Sequence, residues 1–130
     1  MDIRLKLVQI THALLQKAGR GGSFPGELAL KMDPDFIQKF KMPEIVVLVT
    51  GTNGKTTTSN LIAESLRKAG LKVINNRRGD NLNVGIATLL ASNANSNYEV
   101  QGDAAVIEVD ELTLYRQFKN LHPTILVVNN

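Results

Sequence analysis

The chain has 130 residues, with 15 Lys and Arg against 12 Asp and Glu for a formal charge of +3, 43% hydrophobic residues and no cysteine. That length suits one domain with a real core, and the lack of cysteine excludes disulfides and thiolate metal sites within it. The mild charge, 5% aromatic content and absence of Trp argue against a nucleic-acid surface, and no apolar run approaches the ~18 residues of a membrane span.

Asp2 can cap a helix in which Ile3, Leu7, Ile10, Leu14 and Ala18 make one apolar face and Gly19 is the terminator. That face is expected to pack on the main domain or on a partner. The acidic Asp2 and the dispersed charges around it do not read as a signal peptide, so a cytoplasmic location is expected. His12 lacks a second ligand at i+3 or i+4 and reads as a helix-surface residue. The stretch from Gly19 to Gly26 is a breaker-rich connector, expected to be a plain linker, with close approach to an anion as the alternative. Asp33-Pro34 supplies an N-cap with Pro at the first position of a short helix whose apolar side is Phe36, Ile37 and Phe40.

The centre of the sequence is Ile45-Val46-Val47-Leu48-Val49-Thr50-Gly51-Thr52-Asn53-Gly54-Lys55-Thr56-Thr57-Thr58. An unbroken β-branched run feeding a glycine-bearing turn and a helical pattern reads as a buried parallel strand followed by a P-loop. Gly51 and Gly54 allow the backbone to turn so that amides and a helix N-terminus face one concavity where phosphate oxygens can sit. Lys55 would reach the β- and γ-phosphates, and the Thr56 hydroxyl would ligate the accompanying Mg²⁺. Val49 stands where the general pattern has its first glycine, so the loop is the shorter Gly-x-x-Gly-Lys-Thr.

A helix from about Lys55 to Ala69 follows, with Leu61, Ile62, Leu66 and Ala69 expected inward and Gly70 as its C-terminal stop. Leu71 to Ile74 is a second strand. The polar, amide-rich stretch Asn75 to Asn83 follows it at the edge of the sheet where ligands bind in open α/β folds. Gly85 to Ser92 reads as a short helix and Asn93 to Asn97 as a solvated loop. Ala104 to Ile107 is a third strand ending in Glu108-Val109-Asp110-Glu111, where a carboxylate ligand for Mg²⁺ is expected beside the P-loop strand. Leu112 to Leu121 can form an amphipathic helix stopped by His122-Pro123, and Thr124 to Val128 reads as a further buried strand. The fold class expected is α/β, a parallel P-loop sheet with helices on both faces.

Three segments together, Gly51 to Thr58, Asn76 to Ile86 and Glu108 to Glu111, resemble the central ATPase domain of the Mur ligase family. The stretch Arg20 to Gly26, followed by a short helix, is similar to the MurT branch of that family, the ligase-like subunits of lipid II isoglutaminyl synthase. The resemblance implies a helical leader over 1–42 and the front part of an ATP-binding domain over 43–130, incomplete at its C-terminal end. It also implies ATP and Mg²⁺ as cofactors. Gly51, Thr52, Asn53, Gly54, Lys55, Thr56, Thr57 and Asn81 would contact nucleotide, with Lys55, Thr56 and Glu108 catalytic. Thr56 and Glu108 would hold the metal, the family pattern favouring Glu108 over Asp110 and Glu111. The implied reaction is phosphorylation of the α-carboxyl of D-glutamate in the lipid II stem peptide and its amidation to D-isoglutamine, at the inner face of the cytoplasmic membrane without membrane insertion. Ammonia would come from a GatD-like glutamine amidotransferase subunit in a heterodimer. A Zn²⁺ site is expected only beyond Asn130. The alternatives are a UDP-muramyl-peptide or folylpolyglutamate-type ligase, and a P-loop module without ligase activity; a GTPase-like switch would want a D-x-x-G that the sequence lacks.

Overall fold

The computed structural model describes residues 2–20, 22–76 and 82–130. Four parallel strands, β1 (Ile45–Gly51), β2 (Val73–Asn75), β3 (Ala104–Glu108) and β4 (Ile125–Asn129), form one sheet in the order β2-β3-β1-β4. The helices are α1 (Ile3–Lys17), α2 (Phe24–Met32), α3 (Lys55–Lys68), α4 (Asn83–Ser92) and α5 (Leu114–Leu121). The expected α/β class is therefore observed. Alternation along the strands divides the core in two. Val46, Leu48, Ala105 and Ile107 face a layer that includes residues of α1, α2, α4 and α5, whereas Val47, Val49, Ala104 and Val106 face Ile62, Ala63 and Leu66 of α3. Because all strands run the same way, their C-terminal ends gather along one edge.

Several expectations change in detail. Asp2 does cap α1, its Oδ1 accepting from the Arg4 N–H at 2.9 Å, and Gly19 ends it at φ +69°. The face buried, however, carries Leu5 and Val8, while Ile3, Leu7, Ile10 and Leu14 point outward, Ile3 being 80% exposed. Apolar residues occur on two sides of this helix, and periodicity alone does not tell which one meets the core. The glycine-rich connector is shorter than expected, since α2 begins at Phe24 with Pro25 in its first turn. Gly26 is a packing residue. Its N–H donates to Thr88 Oγ1 at 2.9 Å, and a Cβ there would come within 1.9 Å of the Val84 carbonyl oxygen of α4.

The short helix after Asp33-Pro34 is a 3₁₀ turn, Phe36–Lys39. In α3 the inward stripe is Ser59, Ile62, Ala63 and Leu66, with Leu61 67% exposed. Leu61 falls outside this i, i+3, i+4, i+7 row, and Ala69 caps the helix end in solvent. Among the described residues the run from Ile125 pairs with β1 alone and leaves Ile125, Leu126 and Val128 exposed, where a buried strand was expected. An apolar run marks a strand but does not say whether it has neighbours on both sides. Among the described residues no helix is long and apolar enough to cross a membrane.

A polar latch holds α1 to the body. Tyr98 packs edge-on against Phe36 and Phe40, and its hydroxyl donates to Asp2 Oδ2 at 2.6 Å. Arg4 and Lys39 both pair with Asp33. The bond from Tyr98, and then that from the Arg4 N–H, hold the Asp2 carboxyl below its usual pKa; Lys39 does the same for Asp33. A carboxyl whose folded pKa is depressed contributes stability above its unfolded value of about 3.9, lost as pH falls through the folded value. Acidification through about pH 4 and below is therefore expected to weaken the latch. Tyr98→Phe should cost roughly 1–2 kcal/mol near neutral pH and flatten part of the acid dependence. Urea midpoints of both proteins near neutrality and at about pH 3 check this, with the larger acid loss expected for the unsubstituted chain.

Candidate active site at the strand ends

The turn between β1 and α3 is built on two glycines with positive φ, Gly51 at +128° and Gly54 at +77°. Gly51 ends β1, and Gly54 is the N-cap of α3 in the left-handed region, so no side chain caps the helix. Among the described residues the first amides of α3 thus lack a side-chain partner, and the helix dipole places partial positive charge at the same point. That is a seat for an anion. Thr52, Asn53, Gly54, Thr56 and Thr57 are exposed around it. Lys55, the first residue of α3, has a side chain only 14% exposed and lies 3.9 Å from Glu111 Oε1.

Strand parity explains how a carboxylate arrives there. Ala104 and Val106 face α3, so Glu108, two residues on, lies on the same side. The first turn of α3 holds Thr56, whose hydroxyl donates to Glu108 at 2.9 Å from Oε2 and 3.1 Å from Oε1. Glu108 is 3% exposed. The other two carboxylates of the sequence motif take different partners. Asp110 Oδ1 accepts from the Leu112 N–H at 2.9 Å and Glu111 reaches Lys55. Lys55, Thr56 and Glu108 are thereby brought together with the loop, while Asn81 lies outside the described residues.

Two asparagines that sequence reasoning did not single out complete the edge. Asn76, just past β2, bonds the backbone of Glu108. Asn129, the last residue of β4, donates from Nδ2 to the Gly54 carbonyl at 3.1 Å and to Thr58 Oγ1 at 2.6 Å. The signal available for both was their position, an amide side chain at the end of an apolar run. A cavity of about 210 Å³ lined by Arg67, Val73, Ile74, Asn75, Leu89 and Asn93 shares no residue with this constellation.

A family model described as the Mur ligase middle domain matches residues 49–130. The MurT subunit of the glutamine-hydrolyzing lipid II isoglutaminyl synthase of Streptococcus pneumoniae is 36% identical over 120 residues, 92% of this chain and 26% of that protein. A MurT subunit of Staphylococcus aureus is 36% identical over 112 residues, 85% of this chain and 25% of that protein. The chain spans about a quarter of the length of these curated relatives.

Proposed function

This chain belongs to the Mur ligase family, and from that membership we propose that it forms the nucleotide-binding part of an ATP-dependent carbon–nitrogen ligase in peptidoglycan synthesis. In this reading the enzyme transfers the γ-phosphoryl group of ATP to the α-carboxylate of D-glutamate in the lipid II stem peptide. Ammonia then attacks the acyl phosphate, and inorganic phosphate leaves as the amide of D-isoglutamine forms. The ammonia is delivered by a glutamine amidotransferase subunit of the GatD kind, in a heterodimer acting at the inner face of the cytoplasmic membrane. Similarity to MurT subunits supports the substrate and the partner.

The observation that carries the reading is the Thr56–Glu108 pair beside the uncapped N-terminus of α3. Thr56 Oγ1 and Glu108 Oε2 stand 2.9 Å apart, the separation of adjacent corners of an octahedron with ~2.0–2.1 Å metal–oxygen distances. The donor set is all oxygen, as Mg²⁺ requires. Among the described residues no group of three His, Asp or Glu side chains gathers; Mg²⁺ bound with a nucleotide usually takes one or two protein oxygens together with phosphate and water oxygens. When bound, Mg²⁺ would neutralise charge on the β- and γ-phosphates.

The chain's own groups do the rest. Loop amides from Gly51 to Thr57 hold the phosphates, and the Lys55 ammonium balances charge that spreads over the transferring group. Glu108, held by Thr56, keeps a carboxylate fixed at the cation. Asn81 supplies a further nucleotide contact from the segment after β2.

The test is phosphate release by the full-length protein with its amidotransferase partner, ATP, Mg²⁺ and lipid II. Release that depends on glutamine or ammonia, with conversion of one carboxyl to an amide seen by mass spectrometry, is expected. Release that requires a free amino acid instead would make this a peptide-forming ligase.

A further inference from the structure

Asn76 does for Glu108 what the next residue pair of the sheet would do. Pairing between β2 and β3 stops at Asn75 opposite Val106. Glu108 lies two residues further along β3, with its N–H and C=O both turned toward the side where β2 has ended. The Asn76 side chain, 7% exposed, supplies both missing partners. Its Oδ1 accepts from the Glu108 N–H at 2.8 Å, and its Nδ2 donates to the Glu108 carbonyl at 2.9 Å. A carboxamide carries the same donor and acceptor as a peptide group, so it can replace a strand where none runs. On the opposite side the Val109 N–H donates to Val49 O at 2.8 Å. The backbone at Glu108 is thus held from both flanks while its carboxylate is held by Thr56.

We propose that Asn76 is a positioning residue for the cation site: by clamping the Glu108 backbone it keeps that carboxylate aimed at Thr56, and so sets how tightly a divalent cation is held with the nucleotide. This rests on the metal role proposed for Glu108. A side chain outside the coordination sphere that orients a ligand typically changes metal affinity by ~10–100-fold when removed.

The experiment is Mn²⁺ titration of the full-length protein with a non-hydrolysable ATP analogue, read by electron paramagnetic resonance, with unfolding midpoints measured alongside. Asn76→Leu, which keeps the branching at Cγ but is bulkier and has no hydrogen-bonding groups, should weaken Mn²⁺ binding by ~10–100-fold. Asn75→Ala is the comparison for general damage to β2. Asn75 accepts from Arg67 at 2.8 Å and donates to Asn60 on the α3 side, bonds that involve no atom of Glu108, so Asn75→Ala should lower the unfolding midpoint and leave Mn²⁺ affinity unchanged. If Asn76→Leu does not fold, Asn76→Ala, which removes both bonds to the Glu108 backbone without adding bulk or charge, should still weaken Mn²⁺ binding. Unchanged Mn²⁺ affinity in the folded Asn76 variant, or equal weakening in Asn75→Ala, overturns the proposal. Glu108→Gln separates the two ideas: if it leaves Mn²⁺ binding intact, the metal role of Glu108 itself fails and the Asn76 proposal falls with it. If Glu108→Gln weakens binding and Asn76 variants do not, only the clamp is refuted.

Discussion

Lys55→Ala should reduce ATP-dependent phosphate release by at least ~10²–10³-fold, the usual loss when one preorganised stabiliser of developing charge is removed. The same substitution should leave the unfolding midpoint almost unchanged, for three structural reasons. Among the described residues the Lys55 ammonium makes one ion pair, to Glu111, at the long distance of 3.9 Å with the carboxylate half exposed, and such pairs contribute little. Lys55 opens α3, and alanine is at least as good a helix former as lysine. Its neighbours Gly54 and Thr58 are held by Asn129 without it. Loss of turnover with retained stability is therefore the signature of a charge that acts on substrate. Phosphate release by the reconstituted enzyme, with urea unfolding of the same sample, measures both. Turnover within a few-fold of the unsubstituted enzyme would remove the loop from the mechanism.

Gly51→Ala should act on the fold itself. A Cβ at Gly51 would lie 1.9 Å from the Asn129 carbonyl oxygen and 2.7 Å from its amide nitrogen, and φ is +128°. Both obstacles are backbone, which cannot swing aside as a side chain would. Gly51 and Asn129 are register partners at the end of the β1–β4 ladder, so relief requires β4 to part from β1 or the loop to leave its left-handed geometry. Backbone strain and overpacking together amount to roughly 2–6 kcal/mol, a large share of the ~5–15 kcal/mol that holds a domain together. Gly54→Ala is the useful contrast. Its nearest neighbour would be the Asn129 Nδ2 at 3.3 Å, leaving mainly the cost of a left-handed alanine, about 1–2 kcal/mol. Denaturant midpoints should fall steeply for Gly51→Ala and mildly for Gly54→Ala. Equal losses would mean that β4 does not abut the loop as closely as the geometry requires.

The two substitutions separate what can be read along the chain from what cannot. That Lys55 belongs to a phosphate seat is a local matter of a β-branched run, two glycines and a helix start. Why Gly51 admits no side chain depends on Asn129, 78 residues away. The same division runs through the helices. In α1 the apolar spacing was legible, but the helix is apolar on two sides and only packing chose Leu5 and Val8 over Ile3, Leu7, Ile10 and Leu14. At Gly26 a residue that reads as a helix breaker proved to be the contact between α2 and α4, because close approach of two helices and a flexible turn call for the same amino acid.

From its sequence alone this protein is determined to be an α/β chain with a strand–glycine turn–helix at its centre, a Lys-Thr pair at the helix start, and carboxylates after a later strand. These are short-range properties, set by side-chain periodicity and by what glycine permits. The family resemblance already favoured Glu108 among the carboxylates, and the tertiary structure supplies the physical reason. Glu108 is the one on the α3 side of the sheet, with Thr56 at 2.9 Å, and Asp110 and Glu111 turn to other partners. The tertiary structure also decided that Asn76 and Asn129, neither given a role by the sequence, hold the site from the flanking strands. The physical reason is that strand order and facing are fixed by burial of whole layers, and contacts across 32 or 75 positions of chain exist only once those layers have packed.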